Sequence, residues 1–180
     1  MTVTIKGEAI ERQSEVLNDP ALALIELLHK KLNPKRLELL DARKKRIAEI
    51  ASGKELNFLD STKSIREDAT WQVAQLAPGL QDRRVEITGP TERKMTINAL
   101  NSGAKVWLAD QEDSTTPNWQ NVIQGQINLK DAINGTIEFT NEAGKRYELR
   151  KDQPLATIVM RPRGLHLPEK HLLVDGEITS

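Results

Sequence analysis

The fold is decided by residues 85–109, which read VEITGPTERKMTINALNSGAKVWLA. Two short apolar runs, at 85–88 and 105–109, are typical of buried strands. Between them, apolar residues recur at helical spacing, with Thr91 as the expected N-cap and Leu100 near the end. A helix of about ten residues between two such strands predicts a βαβ unit and a parallel sheet.

Downstream of this stretch the sequence predicts three further elements. Residues 116–117, Thr-Pro, are typical of a helix start. Residues 136–140 and 146–149 flank the turn-forming segment 141–144, which predicts a β-hairpin outside the parallel sheet. Residues 156–160 form a third apolar run, which we expect to be a third parallel strand.

Upstream, the pattern is helical. Asn18 precedes Pro20 in the arrangement of a capping residue and a proline in the first turn. Asn33 and Pro34 repeat that signal, so we expect a second helix to begin there and to end near Gly53.

A third helical segment is predicted at residues 64–76. Its apolar face is expected to pack on the two preceding helices through Ile65, Ala69 and Val73. We therefore expect a helical region over residues 1–80 and the beginning of a sheet domain over residues 81–180.

Composition limits the classes of partner. The 180 residues, a length that suits one domain or one and a fragment, include 26 basic and 26 acidic side chains, and only 3% are aromatic. This balance gives no field or stacking platform for nucleic acid, and no apolar stretch is long enough for a membrane span. Cysteine is absent, which excludes disulfides and thiolate metal sites. Without a signal core or a peroxisomal address, a cytoplasmic protein is expected.

Charged residues follow two of the predicted parallel strands. Asp110, Glu112 and Asp113 come at the end of the second strand, and Arg161 and Arg163 come at the end of the third. Ligands of α/β sheets and barrels bind beyond the carboxyl ends of the strands. The sequence therefore indicates a polar site at this edge.

The residue types leave the chemistry of that edge open. An arginine fork suits a carboxylate or an enolate oxygen, and carboxylates suit Mg²⁺, directly or through its waters. The alternatives are salt bridges of the arginines to the acidic residues or to nearby loops, and helix capping by the acids. His29 is expected to be exposed, and His166 and His171 are not at zinc-site spacing, although either could orient the arginine turn.

Longer strings carry a more specific resemblance. The segment RRVEITGPTERKMTINALNSGAKVWLADQEDSTTPNWQNVIQGQINLKDAINGTIEFTNEAGKRYEL, followed by RPRGLHLPEKH, resembles the A-type malate synthases from about Asp82 to His171. The resemblance implies an α/β fold: an N-terminal helical clasp, then the first strands of a (β/α)8 TIM barrel with a β-hairpin excursion, the barrel being incomplete.

The resemblance also implies an activity. In the family, acetyl-CoA condenses with glyoxylate and water to give malate and CoA in the glyoxylate cycle, with Mg²⁺ as cofactor. An Asp removes a proton from the acetyl methyl, an Arg stabilises the enolate, and Mg²⁺ polarises the aldehyde of glyoxylate. The malyl thioester is then hydrolysed.

Carried over residue by residue, the family's arginine falls on Arg161, the first arginine of RPRGLH. Arg163 and His166 are expected to support its loop or its field for anions.

The family's acidic strand end falls on Asp110, Glu112 and Asp113, which are expected to lie near the metal and to act through water or through contacts behind its ligands. Gln111 stands where the family usually has an aromatic residue.

The same resemblance defines what the sequence lacks. The family's direct Mg²⁺ ligands and its catalytic base lie on later strands, so no direct metal ligand is expected in this chain. A barrel takes roughly 250 residues, and three strands cannot close it. We therefore expect a truncated chain with little activity alone. The alternatives are the N-terminal piece of a split enzyme, completed by a C-terminal portion as a separate chain, and a related acyl-CoA lyase.

Overall fold

A computed structural model describes residues 2–180. The helices are α1 (Asp19–Ala51), α2 (Lys63–Arg66), α3 (Arg93–Leu100) and α4 (Trp119–Ile133). The strands are β1 (Val3–Ile5), β2 (Glu86–Gly89), β3 (Val106–Asp110), β4 (Glu138–Thr140), β5 (Arg146–Glu148), β6 (Thr157–Arg161), β7 (Glu169–Val174) and β8 (Glu177–Thr179).

A parallel sheet of order β2-β3-β6 confirms the expected βαβ arrangement. The register pairs Gly89 with Ala109 and Asp110 with Arg161, so the carboxyl ends of the three strands lie at one edge. Within residues 2–180 this sheet does not close into a barrel, and the fold is a small mixed α/β structure.

The main core lies between this sheet and α3 and α4. Its largest member is Trp107, which is fully buried and packs with Ile97, Leu100 and Leu129. Four of the five β3 residues are buried, because β3 lies between β2 and β6 and the face with Trp107 and Ala109 packs on α3 and α4. The continuous apolar run of β3 in the sequence is explained by this burial.

The predicted hairpin is confirmed as the antiparallel pair of β4 and β5. Phe139 lies opposite Tyr147, with ring centroids 5.9 Å apart. Gly144 adopts φ 78° in the connecting turn, a conformation that favours glycine. Asn101, just after α3, donates to the backbone carbonyl of Glu148 and ties the hairpin to the helix.

A second sheet, of order β1-β7-β8, was not predicted. In it β1 pairs with β7 across nearly the whole chain, with Val3 opposite Val174. The β7–β8 turn contains Asp175 and Gly176, both at positive φ. An Asp-Gly pair between two strands is a recognised hairpin signal. That local signal could have revealed half of this sheet.

The expected second helix start at Asn33-Pro34 is wrong, because α1 continues through Pro34 as one helix of 33 residues. An internal proline costs a helix about 3 kcal/mol, so other contacts must hold it together. Asn33 is buried, donates to Glu177 over 3.4 Å and accepts from Arg36 over 3.1 Å. His29 is also wrongly expected to be exposed: only 9% of its side chain is accessible.

The helix expected at 64–76 is also wrong, because α2 has only four residues. The apolar side chains expected to pack there, Ile65, Ala69 and Val73, are exposed. Asp68 accepts hydrogen bonds from the backbone N–H and the hydroxyl of Thr70, at 2.8 and 2.6 Å. Such local side-chain bonds stabilise a turn in competition with a helix.

Two further helix starts differ from expectation by one or two residues. Glu92, not Thr91, caps α3, and its carboxylate accepts two backbone N–H groups of the first turn. Asn118, not Thr116, caps α4 and accepts from the N–H of Asn121. Thr91 is instead buried beneath α4.

None of the helices found in residues 2–180 combines the length and the apolar character that crossing a bilayer requires.

Candidate functional site

The two charged clusters predicted at strand ends meet in one group. Asp110 pairs with Arg161 in the β3–β6 register, which brings the two side chains to the same edge of the sheet. Nη1 of Arg161 lies 3.2 Å from Oδ2 of Asp110 and 2.6 Å from Oδ2 of Asp113. Nη2 lies 2.5 Å from Oε2 of Glu112. We refer to the three acidic residues around Arg161, namely Asp110, Glu112 and Asp113, as the strand-end cluster.

Asp110 is the most buried residue of the strand-end cluster, with only 3% of its side chain exposed. Its Oδ1 accepts the N–H groups of Glu112 and Asp113 at 2.9 and 3.0 Å, and its Oδ2 accepts the hydroxyl of Ser114. Burial raises the pKa of Asp110, but these donors and Arg161 outweigh it and hold the pKa below its usual value. Asp110 is therefore ionised at neutral pH.

Arg161 keeps an accessible side, with 40% of its side chain exposed. The pKa of Arg161 is raised chiefly by its hydrogen bond to Asp113, against the effect of burial. The contacts with Asp110, Glu112 and Asp113 use Nη1 and Nη2, whereas the Nε–H of Arg161 donates to no group in residues 2–180. This donor is available to an incoming oxygen.

The loop after Arg161 is fastened to the second sheet. Nη2 of Arg163 lies 2.6 Å from Oε2 of Glu169, at the start of β7. Oε1 of Glu169 accepts from the backbone N–H of His171 at 2.9 Å and lies 2.8 Å from its Nδ1. Burial raises the pKa of Glu169, but the bonds from His171 and Arg163 outweigh it and lower the pKa.

His166 lies apart from the strand-end cluster. Its exposed ring covers Gly164, where an added Cβ would come within 2.6 Å of two ring atoms. The loop is further held by Arg36 of α1, whose Nε donates to the carbonyl of Leu165 at 2.5 Å, and by the N–H of Gln111, which donates to the carbonyl of Arg161.

A cavity of about 410 Å³ adjoins the strand-end cluster through Ser114. Polar residues of the loops after β2 and β3 line it, together with the first turns of α4. Oγ1 of Thr91 and Nε2 of Gln111 are buried, and neither has a hydrogen-bond partner within residues 2–180. A Cβ at Gly125 of α4 would collide with this Thr91 oxygen.

The cavity was missed from the sequence, although one signal could have indicated it. Gly125 is an isolated glycine inside a strongly helical pattern, where it costs about 1 kcal/mol relative to alanine and indicates a packing or functional reason.

The carboxylates do not fit a direct Mg²⁺ site. All three carboxylates of the strand-end cluster contact Arg161. The two carboxylate oxygens of Asp110 also accept hydrogen bonds from backbone and hydroxyl donors. Across residues 2–180, no three His, Asp or Glu side chains are placed to share a metal ion. Together the fold and the site define an α/β protein with a cluster of charged side chains at the carboxyl edge of a parallel sheet.

Comparison with known proteins identifies the family. A family model described as "Malate synthase, N-terminal domain" matches residues 2–64. Over 169 residues the chain is 56% identical to a malate synthase from Streptomyces clavuligerus, covering 93% of this chain and 31% of that protein. Malate synthase A of Escherichia coli is 49% identical over 167 residues, again 93% of this chain and 31% of the relative.

A third relative is the bifunctional glyoxylate cycle protein of Caenorhabditis elegans, 42% identical over 179 residues, which covers 99% of this chain and 18% of that protein.

The resemblance to the N-terminal portion of the A-type malate synthases, a family of enzymes, is thus confirmed along nearly the whole chain. The chain spans about a third of the length of the two malate synthases, at 31% of each.

Proposed function

We propose that this chain supplies the enolate-stabilising side of a malate synthase active site, for the condensation of acetyl-CoA with glyoxylate. The observation that carries the proposal is Arg161, which the strand-end cluster holds at the carboxyl edge of the parallel sheet with its Nε–H donor still available. In this proposal β2, β3 and β6 are the first strands of a (β/α)8 barrel over residues 81–180, and residues 1–80 are its helical clasp.

The reaction places negative charge where a fixed cation is useful. Removal of a methyl proton from acetyl-CoA moves an electron pair onto the thioester oxygen, and the resulting enolate carbon attacks the aldehyde carbon of glyoxylate. A donor that is already aimed at this oxygen needs no reorganisation in the transition state. Three carboxylates hold the guanidinium of Arg161, which fixes its plane before substrate arrives.

The charge balance constrains the rest of the site. Three carboxylates against one guanidinium leave excess negative charge, which repels an anion such as glyoxylate. A cation is therefore required near Arg161 before the anion binds. We propose that the Mg²⁺ that the resemblance implies is held by groups other than Asp110, Glu112 and Asp113.

The cavity next to the strand-end cluster is a candidate for part of the acyl-CoA. The N-terminal turn of α4 faces it, and helix N-termini attract phosphate groups. Thr91, which lines the cavity, supplies a buried hydroxyl that has no hydrogen-bond partner among residues 2–180. These features suit the amides and phosphates of CoA better than they suit an apolar ligand.

Turnover in a chimaera tests the proposal. In this chimaera the chain replaces the matched third of the Streptomyces clavuligerus malate synthase. Arg161→Lys keeps the charge but loses the planar fork, so we expect kcat to fall by about 10²-fold or more, as for loss of one oxyanion donor. Arg150→Lys, in an exposed pair with Asp152, is the matched control and is expected to turn over normally. Near-normal kcat in Arg161→Lys would remove Arg161 from this role.

The chain alone is expected to release little CoA from acetyl-CoA, glyoxylate and MgCl2. The carboxylates beside Arg161 are all ion-paired with it, so none is poised as a base. CoA release at the rate of a full-length relative would contradict this expectation. A screen of other acyl-CoA and aldehyde pairs tests the alternative of a related acyl-CoA lyase.

A second candidate function is that of an assembly unit completed by a separate chain. Five large apolar side chains of α1 are more than half exposed: Leu24, Leu32, Leu37, Leu39 and Ile47. The outer edges of β2 and β6 pair with no other strand of residues 2–180, and such edges favour pairing with another chain. Co-expression with the part of the Streptomyces protein that the match does not cover tests this function. Restored turnover supports it, and persistent insolubility contradicts it.

A further inference from the structure

Arg161 is the last residue of β6, and Arg163 lies two residues later in the loop that follows. The structure gives the two arginines different partners. Arg161 pairs with the strand-end cluster, whereas Arg163 pairs with Glu169. Cα atoms two residues apart are within about 7 Å, so either side chain has the length to compete for the same carboxylates. The contacts of Glu169 decide which arginine reaches the strand-end cluster.

Glu169 is built to hold one guanidinium. Its side chain is 7% exposed and that of Arg163 is 16% exposed, so the pair is largely removed from water. The backbone N–H and ring of His171 occupy the other carboxylate oxygen, Oε1, which fixes the carboxylate plane. The ring of His171 in turn packs on Trp119 of α4, with centroids 5.6 Å apart.

Loss of the Glu169 carboxylate would leave the guanidinium of Arg163 without a partner. Three other carboxylates surround Arg161, two residues earlier in the chain. A buried charge that loses its partner is strongly destabilised where it lies. The excess negative charge of the strand-end cluster, which surrounds Arg161 two residues earlier in the chain, is one compensation open to Arg163. Arg163 would then compete with Arg161 for Asp113 and Glu112.

We infer that Glu169, oriented by His171, is a positioning residue that sequesters Arg163 and so reserves the strand-end cluster for Arg161. Its role in catalysis rests on the proposed function of Arg161, but the sorting of the two arginines is independent of it. Glu169 acts only through Arg163 and does not itself contact Arg161.

Arginine side-chain NMR on the isotope-labelled full chain tests the inference without any activity. The Nη hydrogens of Arg161, assigned by their absence in Arg161→Lys, should be slowed in exchange by the carboxylates that hold them. In Glu169→Gln these slow signals should be lost. In the double variant Glu169→Gln/Arg163→Met they should return, since no competitor remains.

If Glu169 had a purely structural role, the slow Arg161 signals would not return in the double variant, because the loop would remain disturbed. Retention of the slow Arg161 signals in Glu169→Gln, or their loss in both variants, overturns the inference. Arg163→Met alone is the matched control and should leave the Arg161 signals unchanged. If Glu169→Gln does not fold, Glu169→Asp, with its carboxylate one methylene further from Arg163, should show the same loss in smaller degree, and unchanged signals there overturn the inference.

The chimaera separates this inference from the proposed function. We expect kcat to fall on the order of tenfold to a hundredfold in Glu169→Gln, as for a misplaced catalytic group, and to recover in the double variant. If NMR shows the expected loss and return of the slow Arg161 signals but Arg161→Lys leaves kcat unchanged, the inference stands and the proposed function is rejected. A fall in kcat that the double variant does not reverse would contradict the positioning role.

Discussion

Asp131 of α4 offers the sharpest test of how this chain is held together. Only 7% of its side chain is exposed, and it accepts two hydrogen bonds from Arg12, at 2.8 and 2.7 Å, and one from Arg93, at 2.8 Å. Arg12 itself adopts a left-handed backbone conformation, with φ 64°, which a non-glycine residue rarely takes without compensation. One carboxylate therefore fastens the N-terminal segment and α3 to α4.

Asp131→Asn should destabilise the chain by about 3 kcal/mol at pH 7, the lower end of the range for breaking a buried ion pair. The lower end applies because the Arg12 side chain is 37% exposed and can be rehydrated. The hydrogen bond from Arg12, against burial, lowers the pKa of Asp131 to about 2. Since the folded pKa is depressed, this stabilisation is present above pH 4 and is lost as the pH falls towards 2.

Urea denaturation of both proteins at pH 7, 4 and 2.5 measures the difference in unfolding free energy. We expect the difference in unfolding free energy between the two proteins to shrink by about 1–2 kcal/mol between pH 7 and pH 2.5, after allowance for solvent screening. Asp152→Asn, which breaks an exposed pair with Arg150, is the control and should change stability by less than about 1 kcal/mol. A gap that is absent at pH 7, or that does not change with pH, would refute the account of Asp131.

Two further substitutions test packing and backbone. Gly125→Ala should cost about 1–3 kcal/mol, because its methyl group meets the hydroxyl of Thr91, and an unchanged thermal melting temperature would contradict that contact. Pro34→Ala restores an N–H inside α1, so it should raise the free energy of unfolding in urea by up to about 3 kcal/mol. It should also increase the helical circular dichroism signal. No change would show that α1 does not continue through this position.

The parallel sheet could be predicted because its evidence is local. Each strand is a short apolar run, and the helix between β2 and β3 has its own periodicity. The second sheet has no such evidence, because β1 pairs with β7, whose residues lie about 170 positions away in the chain. Pro34 misled the prediction because α1 continues through it in spite of a local helix-breaking signal.

The candidate site divides in the same way. The meeting of Asp110 and Arg161 follows from the rule that carboxyl ends of parallel strands share an edge, so the sequence could place them together. Glu169 stands in the polar string LPEKH, where no periodicity distinguishes a buried carboxylate from a solvated one. Its partnership with Arg163 depends on the second sheet, and it was missed with that sheet.

Proton exchange at the methyl group of acetyl-CoA measures the enolate formation that we propose Arg161 assists, without the later condensation. In the chimaera, incorporation of deuterium from D2O into the methyl group of acetyl-CoA, followed by mass spectrometry, reports enolate formation. We expect Arg161→Lys to slow this exchange by about 10²-fold or more and Arg150→Lys to leave it unchanged. Exchange in Arg161→Lys at the rate of the unsubstituted chimaera would contradict this role of Arg161.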